Sequence, residues 1–479
     1  MLTQVNLRKA FHSKYPILGV LIGIILISLS IGPFQNLDTA WEYKAATGVI
    51  MWGMPFVEVQ GSLINQPPLG FYTEGLFLRI FGISIETGVV LMTLFGVGCT
   101  LLVYLIGKTL YGKHTGLLAS ALFALTPWQL VLSNSFLIDT QCLFLSLCSL
   151  YVGILSFRRD SNKLLATSGL LFAMAFYTKL FAVFVLIPLS LFYIYQQRKK
   201  LRRLPIKLVV FCLPIAFTTL LFYTVNFVLM PSHLQKGLGY MFYHSDFSDL
   251  NAANVVPTYS FVSNFLLNYG LGYFFVASVI LSLLIGLTFK KYICKQIVIT
   301  DLIFTAPILL IVSLTMYLGG TLNLKVPYTS VIKYAYQTLP FFSLIAASIA
   351  VKCASIINSA KLNFRFKKTT YLAIIIVGFF LPMAAILSNI YSAHELSITG
   401  FIVFRVEPNK LLGYSFDNIH AITLNSPLMY VQYLGFGFVL SALAYSCRYF
   451  ITSLIRVFPR QKAQQGNTPE TPEDKTHQN

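Results

Sequence analysis

The feature that most restricts this fold is a series of long apolar runs. Each has about the length that a helix needs to cross a bilayer, which is roughly 20 residues. About twelve such runs occur, near 16–35, 87–107, 115–132, 137–156, 164–177, 179–195, 206–229, 264–287, 300–318, 332–351, 370–390 and 427–446. Only 11% of the residues are charged, against about 25% in soluble domains. The sequence therefore predicts an all-α polytopic membrane protein with about 12 transmembrane helices.

The fifth and sixth runs leave the count open. Residues 164–195 are nearly continuous and could form one long kinked helix, or two helices that meet at Thr178 and Lys179. The choice matters because a single helix would reverse the side of every later segment.

The distribution of charge decides between these topologies. The chain carries 35 Lys and Arg against 16 Asp and Glu, a formal charge of +19. With twelve spans, most basic residues fall in segments on one side, which the positive-inside rule makes cytoplasmic. Both termini are then cytoplasmic, in a multi-pass plasma-membrane protein. Nucleic acid is not expected as a partner, because no basic domain stands free of the spans.

The same topology puts three long segments outside. They are residues 36–86, named here the first loop, and residues 230–263 and 391–426. We predict one transmembrane domain over 1–455, with the first loop as its catalytic loop. The polar tail, residues 456–479, is predicted to be a disordered cytoplasmic segment because it has too few apolar residues to fold.

The first loop contains two helical patterns. LDTAWEYKAATGVIMWGM begins with Asp38 at an N-cap position, and it places Trp41, Ala45 and Val49 on one face. NQPPLGFYTEGLFLRIFG opens on two prolines and continues as an aromatic amphipathic stretch. Both segments are expected to lie along the outer membrane surface, with the lipid bilayer as a partner.

Three carboxylates are the candidate catalytic residues. Asp38 follows the first span, Glu42 lies one helical turn later, and Asp139 stands at the outer start of the fourth span. A carboxylate half-buried beside a bilayer can act as a general base on a hydroxyl, or it can bind a divalent metal. An Asp at a helix start can equally serve only as a cap. No cofactor is certain from the sequence, and a divalent metal remains an open alternative.

Two lysines are candidates for binding a phosphate. Lys179 interrupts the apolar stretch MAFYTKLFAVFVL near the outer face, where a charge is costly unless it is paired or used. Lys333 precedes the tenth span in LKVPYTSVIKYAYQTLP. Either lysine could bind a phosphate-bearing lipid, or could only extend to the lipid headgroups.

These segments together resemble the family 39 and related glycosyltransferases of the C superfamily. The resemblance is carried by the acidic pair Asp38 and Glu42, the proline-led NQPPLGFYTEGLFLRIFG, Asp139 after a short outer turn, YTKLFAVFVLIPL, and KYAYQTLPFFSLIAA. The superfamily includes protein O-mannosyltransferases and bacterial aminoarabinose transferases. The motifs cover roughly residues 15–195 well and 325–350 weakly.

The resemblance implies a membrane glycosyltransferase that takes a sugar from a polyprenyl-phosphate donor outside the membrane and inverts the anomeric centre. The acceptor would be a lipid, a glycan or a protein. Carried over, Asp38 would be the base or an acceptor ligand, and Glu42 and Asp139 would shape the acceptor side. Lys179 and Lys333 would neutralise the lipid phosphate as it leaves.

Two departures from the family pattern leave details open. Asp38 and Glu42 are not adjacent, so either could be the base. Asn65-Gln66 stands where the aminoarabinose branch has Glu-Lys, which argues against that branch's donor contacts and leaves the sugar unknown.

Two other functions share the predicted architecture. A secondary transporter often has about twelve spans, but it binds its substrates at mid-membrane, where this sequence has almost no charge. A polymerase or ligase of lipid-linked glycans would use the same substrates and the same side of the membrane. A non-catalytic scaffold is a third alternative, and it would tolerate loss of Asp38.

Overall fold

The computed structural model shows a helical bundle in which the first loop folds against one end. The structure describes residues 2–31, 37–57, 62–64, 66–198, 204–229, 272–321, 336–359, 373–399 and 427–455. Lys333, Asn65, the segment 230–263 and the tail 456–479 lie outside those residues. The segment 391–426 is described only at its first residues, where a helix ends, and at residue 427 a new helix begins.

The first part of the chain supplies the first loop and its supports. Helix α1 (Leu2–Ile31) leads to α2 (Leu37–Trp52), a short antiparallel pair of strands β1 (Phe56–Val57) and β2 (Ser62–Leu63), and α3 (Leu69–Phe81). Helix α2 begins one residue before Asp38, which therefore lies in the first turn and not at the cap. Pro68 directly precedes α3, where its missing N–H leaves no unpaired donor.

The next helices form the densest part of the bundle. They are α4 (Ile85–Leu110), α5 (Lys113–Ala124), α6 (Pro127–Ser133), α7 (Ile138–Arg159), α8 (Asn162–Thr178), a 3-10 turn (Leu180–Val185) and α9 (Leu186–Gln197). Helices α5 and α6 are bent by 67° at Leu125–Thr126. The buried core around them includes Phe123, Trp128 and Phe136.

The chain between α8 and the 3-10 turn is broken at Lys179. The backbone of this residue is extended, with φ −160° and ψ 139°. Thr178 ends α8, so residues 164–195 form two helical segments and not one continuous helix. The second of the two arrangements left open by the sequence is the one observed.

The remaining described helices complete the bundle. They are α10 (Leu204–Leu229), α11 (Gly272–Thr288), α12 (Lys295–Thr321), a 3-10 turn (Tyr336–Thr338), α13 (Leu339–Ser359), a π-helical turn (Ile376–Phe380), α14 (Leu381–Thr399) and α15 (Pro427–Ile455). Helices thus lie at all twelve predicted positions. Within the described residues, five helices are long and apolar enough to cross a membrane, or six if α5 and α6 form one bent span.

The outside of the bundle is apolar. Leu213, Phe217 and Leu220 of α10 are largely exposed, as are Leu284 of α11 and Leu309 of α12. A monomer in water rarely exposes so much apolar surface. These faces fit the hydrocarbon of a bilayer, so the multi-pass helical prediction holds for this part of the chain.

Helix α1 packs along α15 through glycines. A Cβ placed on Gly23 would lie 2.6 Å from the carbonyl oxygen of Gly435 and 2.6 Å from a methyl group of Val439. Such a distance is shorter than real Cβ atoms allow, so the two backbones approach closely only because both positions lack side chains. Small residues play this role in many membrane helix pairs.

A buried ion pair joins three helices of the bundle and the residue that follows α4. Lys352 Nζ of α13 contacts Asp301 of α12, and it also donates to the carbonyl oxygen of Ser282 in α11 at 2.8 Å. Tyr111, just after α4, donates to the other oxygen of Asp301. The side chain of Lys352 is fully buried, as is that of Asp301.

Candidate functional site

The first loop packs onto the start of α7 and the end of α8. Phe71 of α3 contacts the same small core as Ala45 of α2 and Ile138 of α7, with Trp41 and Val49 against it. The predicted apolar face of α2 is therefore the face that packs inward. This packing brings charged side chains from α2, α3, α7 and the break after α8 into one region. We name Glu42, Glu74, Asp139 and Lys179 the carboxylate cluster.

Glu42 ties α2 to the first turn of α7. Its Oε2 accepts a hydrogen bond from the backbone N–H of Ile138 at 2.8 Å, and only 1% of the residue is exposed. The first N–H groups of a helix have no partner within the helix, and they carry the positive end of its dipole. This hydrogen bond fixes the start of α7 against the first loop.

Asp139 and Lys179 form a buried ion pair. Lys179 Nζ donates to Asp139 Oδ2 at 2.6 Å, with side-chain exposures of 7% and 2%. The extended backbone at Lys179 lets this side chain turn inward where a helix would have continued. Lys179 therefore does not extend to the lipid headgroups, the alternative left open by the sequence.

Glu74 is the member of the cluster that the sequence analysis missed. It lies on the buried face of α3, between Phe71 and Leu78, and it is 0% exposed. Neither carboxylate oxygen has a hydrogen-bond partner among the residues that the structure describes. The signal was present in the sequence, because an acid at i+3 from Phe71 and i−4 from Leu78 interrupts the apolar stripe of an amphipathic helix.

The surroundings of Glu74 favour its neutral form. Burial raises the pKa of this carboxyl well above its usual range, and the nearby carboxylates of Glu42 and Asp139 raise it further. The ammonium of Lys179 acts in the opposite direction without cancelling these effects. The cluster is thus three acids against one base, and the pKa of one of the acids, Glu74, is raised well above its usual range.

The two other predicted site residues are described only in part or not at all. Asp38 lies in the first turn of α2, one turn before Glu42, and its side chain is outside the described part. Lys333 is outside it altogether. No three His, Cys, Asp or Glu side chains in the described ranges are arranged to hold a metal ion. Glu42 and Asp139 each use one carboxylate oxygen on a protein donor.

Comparison with known proteins points to the same region of the chain. A sequence model of the family described as dolichyl-phosphate-mannose-protein mannosyltransferase matches residues 65–223. This range contains Glu74, Asp139 and Lys179. It covers about a third of the chain, so it identifies a related segment.

Two Bacillus subtilis proteins, named provisionally as mannosyltransferases, are also similar. YycA is 26% identical over 141 residues, which are 29% of this chain and 21% of that protein. YkcB is 22% identical over 200 residues, which are 39% of this chain and 28% of that protein. The matched parts thus span only 21% and 28% of the two relatives.

The architecture of nearly the whole chain matches a solved structure. ArnT from Cupriavidus metallidurans in the apo state aligns with a TM-score of 0.51 at 13% identity, covering 95% of this chain and 81% of that one. The chain therefore shares the fold of this ArnT structure. The same protein bound to undecaprenyl phosphate aligns with a TM-score of 0.53 at 12% identity and the same coverage. The glycosyltransferase-C-like resemblance drawn from the motifs is confirmed.

Proposed function

We propose that this chain is a membrane glycosyltransferase that moves a sugar from a polyprenyl-phosphate-linked donor to a lipid, glycan or protein acceptor. The observation that carries the proposal is the carboxylate cluster, in which the first loop brings acids next to a buried lysine. Three of its four members lie in the segment that matches the mannosyltransferase family. The undecaprenyl phosphate bound by Cupriavidus ArnT supports the choice of a polyprenyl-phosphate donor.

The reaction needs a base and a site for the leaving phosphate. The acceptor oxygen attacks the anomeric carbon, and the bond from that carbon to the phosphate oxygen breaks. The acceptor's proton passes to a carboxylate, and the bonding electrons leave with the lipid phosphate. The products are the glycosylated acceptor and the polyprenyl phosphate, with inversion at the anomeric carbon.

The residues divide between these two tasks. Asp38 or Glu42 acts as the general base, since both lie on the first two turns of α2. Asp139 holds Lys179 in place. One N–H of Lys179 donates to Asp139. The two others have no partner among the described residues, and they would neutralise charge that develops on the departing phosphate. Lys333 is proposed to bind the same phosphate.

The proposed topology has twelve spans with both termini in the cytoplasm. The first loop and the carboxylate cluster then face outward from the plasma membrane. The uneven distribution of Lys and Arg along the chain supports this orientation. The break at Lys179 supports it too, because it makes two segments of the fifth and sixth runs.

The buried ion pair of Lys352 and Asp301 gives little support to the transporter alternative. Every donor of Lys352 is used, on Asp301 and on the carbonyl and hydroxyl oxygens of Ser282. A coupling site must exchange such partners for a substrate or an ion. A pair this fully satisfied is better explained as a structural one.

A direct test is transfer by purified protein. Radiolabelled polyprenyl-phosphate sugars are incubated with candidate acceptors and wild-type protein, Asp38→Asn or Glu42→Gln. Loss of the base is expected to lower the rate by about 10²–10⁴-fold. Glu86→Gln is the control, because Glu86 is an exposed acid in the first turn of α4. Undiminished transfer by both Asp38→Asn and Glu42→Gln would refute the base assignment, and no transfer with any donor would favour a transporter or scaffold.

A further inference from the structure

The feature that the proposed reaction does not use is Glu74. It is a fully buried acid whose two oxygens have no partner in the described residues, on a helix that packs against α2, α4, α7 and α8. Leaving a buried charged group without hydrogen bonds costs several kcal/mol at least. The side chain can avoid that cost by keeping its proton.

The groups that face Glu74 show why its charge matters. Glu42 comes from α2, Asp139 from α7, and Lys179 from the end of α8. With Glu74 neutral, the two other carboxylates share one ammonium. With Glu74 ionised, three carboxylates would share it, and repulsion between like charges would favour proton uptake by one of them.

We propose that Glu74 is a positioning residue which, as an uncharged acid, leaves the ammonium of Lys179 to Asp139 in the transfer reaction. This inference rests on the proposed function for its catalytic consequence. A charged Glu74 would compete with Asp139 for Lys179, the cation proposed to bind the leaving phosphate. Ionisation of Glu74 therefore displaces Lys179, so the site fails in alkaline solution.

The expected behaviour follows from the direction of the proton equilibrium. The folded protein binds the Glu74 proton more tightly than the unfolded chain does. The stability of the fold is therefore full below the ordinary pKa of Glu, and part of it is lost as the pH rises through the raised pKa. Transfer should decline over the same alkaline range.

The test compares pH profiles of wild type, Glu74→Gln and the control Glu86→Gln. Gln has nearly the shape of a protonated Glu and cannot ionise. Each rate is expressed relative to the same protein's rate at neutral pH, because the inference concerns the shape of the profile. We expect an alkaline decline in wild type and Glu86→Gln, and its loss or a marked alkaline shift in Glu74→Gln. Equal alkaline declines in all three proteins would overturn the inference.

A second measurement separates this inference from the proposed function. Infrared spectroscopy of the purified protein in lipid nanodiscs detects the C=O stretch of a protonated carboxylic acid without any substrate. We expect such a band at neutral pH in wild type and Glu86→Gln, and its absence in Glu74→Gln. Its absence in wild type would overturn the inference whatever the transfer assay shows. If the band is present but no donor is used, the proposed function fails and the neutral state of Glu74 stands.

The variant itself provides one more decisive outcome. If Glu74→Gln has the same melting temperature as wild type at neutral pH but transfers no sugar at any pH, the carboxyl takes part in the reaction directly. The positioning role is then wrong. Glu74→Asp serves as the companion variant, since it restores an ionisable group and should restore the alkaline decline.

Discussion

Lys179 Nζ lies 2.6 Å from Asp139 Oδ2, and both side chains are almost fully buried. Asp139 lies in the first turn of α7, and Lys179 is the extended residue that directly follows α8. The pair therefore joins two chain segments and puts a cation beside the first loop. A cation at this place can serve two purposes: it stabilises the fold, and it binds an anionic substrate.

Double substitution can separate these two uses. Removing one partner of a buried pair leaves an uncompensated charge, so Lys179→Met or Asp139→Leu alone should lower the free energy of unfolding by about 3–5 kcal/mol. The double variant should regain most of that stability, because no unpaired charge remains. Transfer should stay lost in the double variant. Thermal melts and transfer rates measure the two quantities, and recovery of transfer would reduce Lys179 to a structural role.

The ion pair of Asp301 and Lys352 is the matched comparison. Lys352→Met alone should cost about 3–5 kcal/mol for the same reason, and the double variant with Asp301→Leu should recover most of it. Tyr111 and Ser282 would lose their charged partner in the double variant, so recovery should be incomplete. The transfer rate of the purified double variant should match that of wild type. A loss of transfer at equal stability would give this pair a part in function.

The close approach of α1 and α15 predicts a contrast between two glycines. Gly23→Ala would force a methyl group against Gly435 and Val439, and it should destabilise the protein by about 1–3 kcal/mol. Gly437→Ala meets nothing within 4 Å. It should be neutral or stabilise α15 by roughly 0.5–1 kcal/mol, because Ala favours helix more than Gly does. Equal melting temperatures for the two variants would contradict the observed packing.

The orientation of the first loop can be tested by labelling cysteines in cells. Gln60→Cys places a thiol in the first loop, and Ala463→Cys places one in the tail. Each is introduced into a chain whose native cysteines are replaced by serine. A membrane-impermeant maleimide should label the first variant in intact cells and the second only after the cells are opened. The reverse pattern would invert the proposed topology.

Much of the fold was predictable because membrane helices have a simple requirement. Each run must satisfy its own backbone hydrogen bonds and present apolar side chains, so length and hydropathy locate it. The break at Lys179 could not be decided in this way. A lysine in an apolar run is compatible with a bent helix as well as with two segments, and its long-range partner Asp139 selected the second.

The candidate site was predictable only in part. Glu42, Asp139 and Lys179 stood out because each is a charge at an expected membrane boundary. Their closeness depends on how the first loop packs on α7, which no local pattern specifies. Glu74 was overlooked because the aromatic residues around it suggested a surface helix.

The packing of α1 against α15 also has a consequence for synthesis. Translation adds about 5–20 residues per second, so on the order of a minute separates the insertion of Gly23 from the arrival of Gly435. During that interval the glycine face of α1 has only lipid or an insertion factor as its neighbour. Helix α1 thus reaches its final partner only after helices α2 to α14 have been synthesised, and its packing against α15 forms late in the assembly of the bundle.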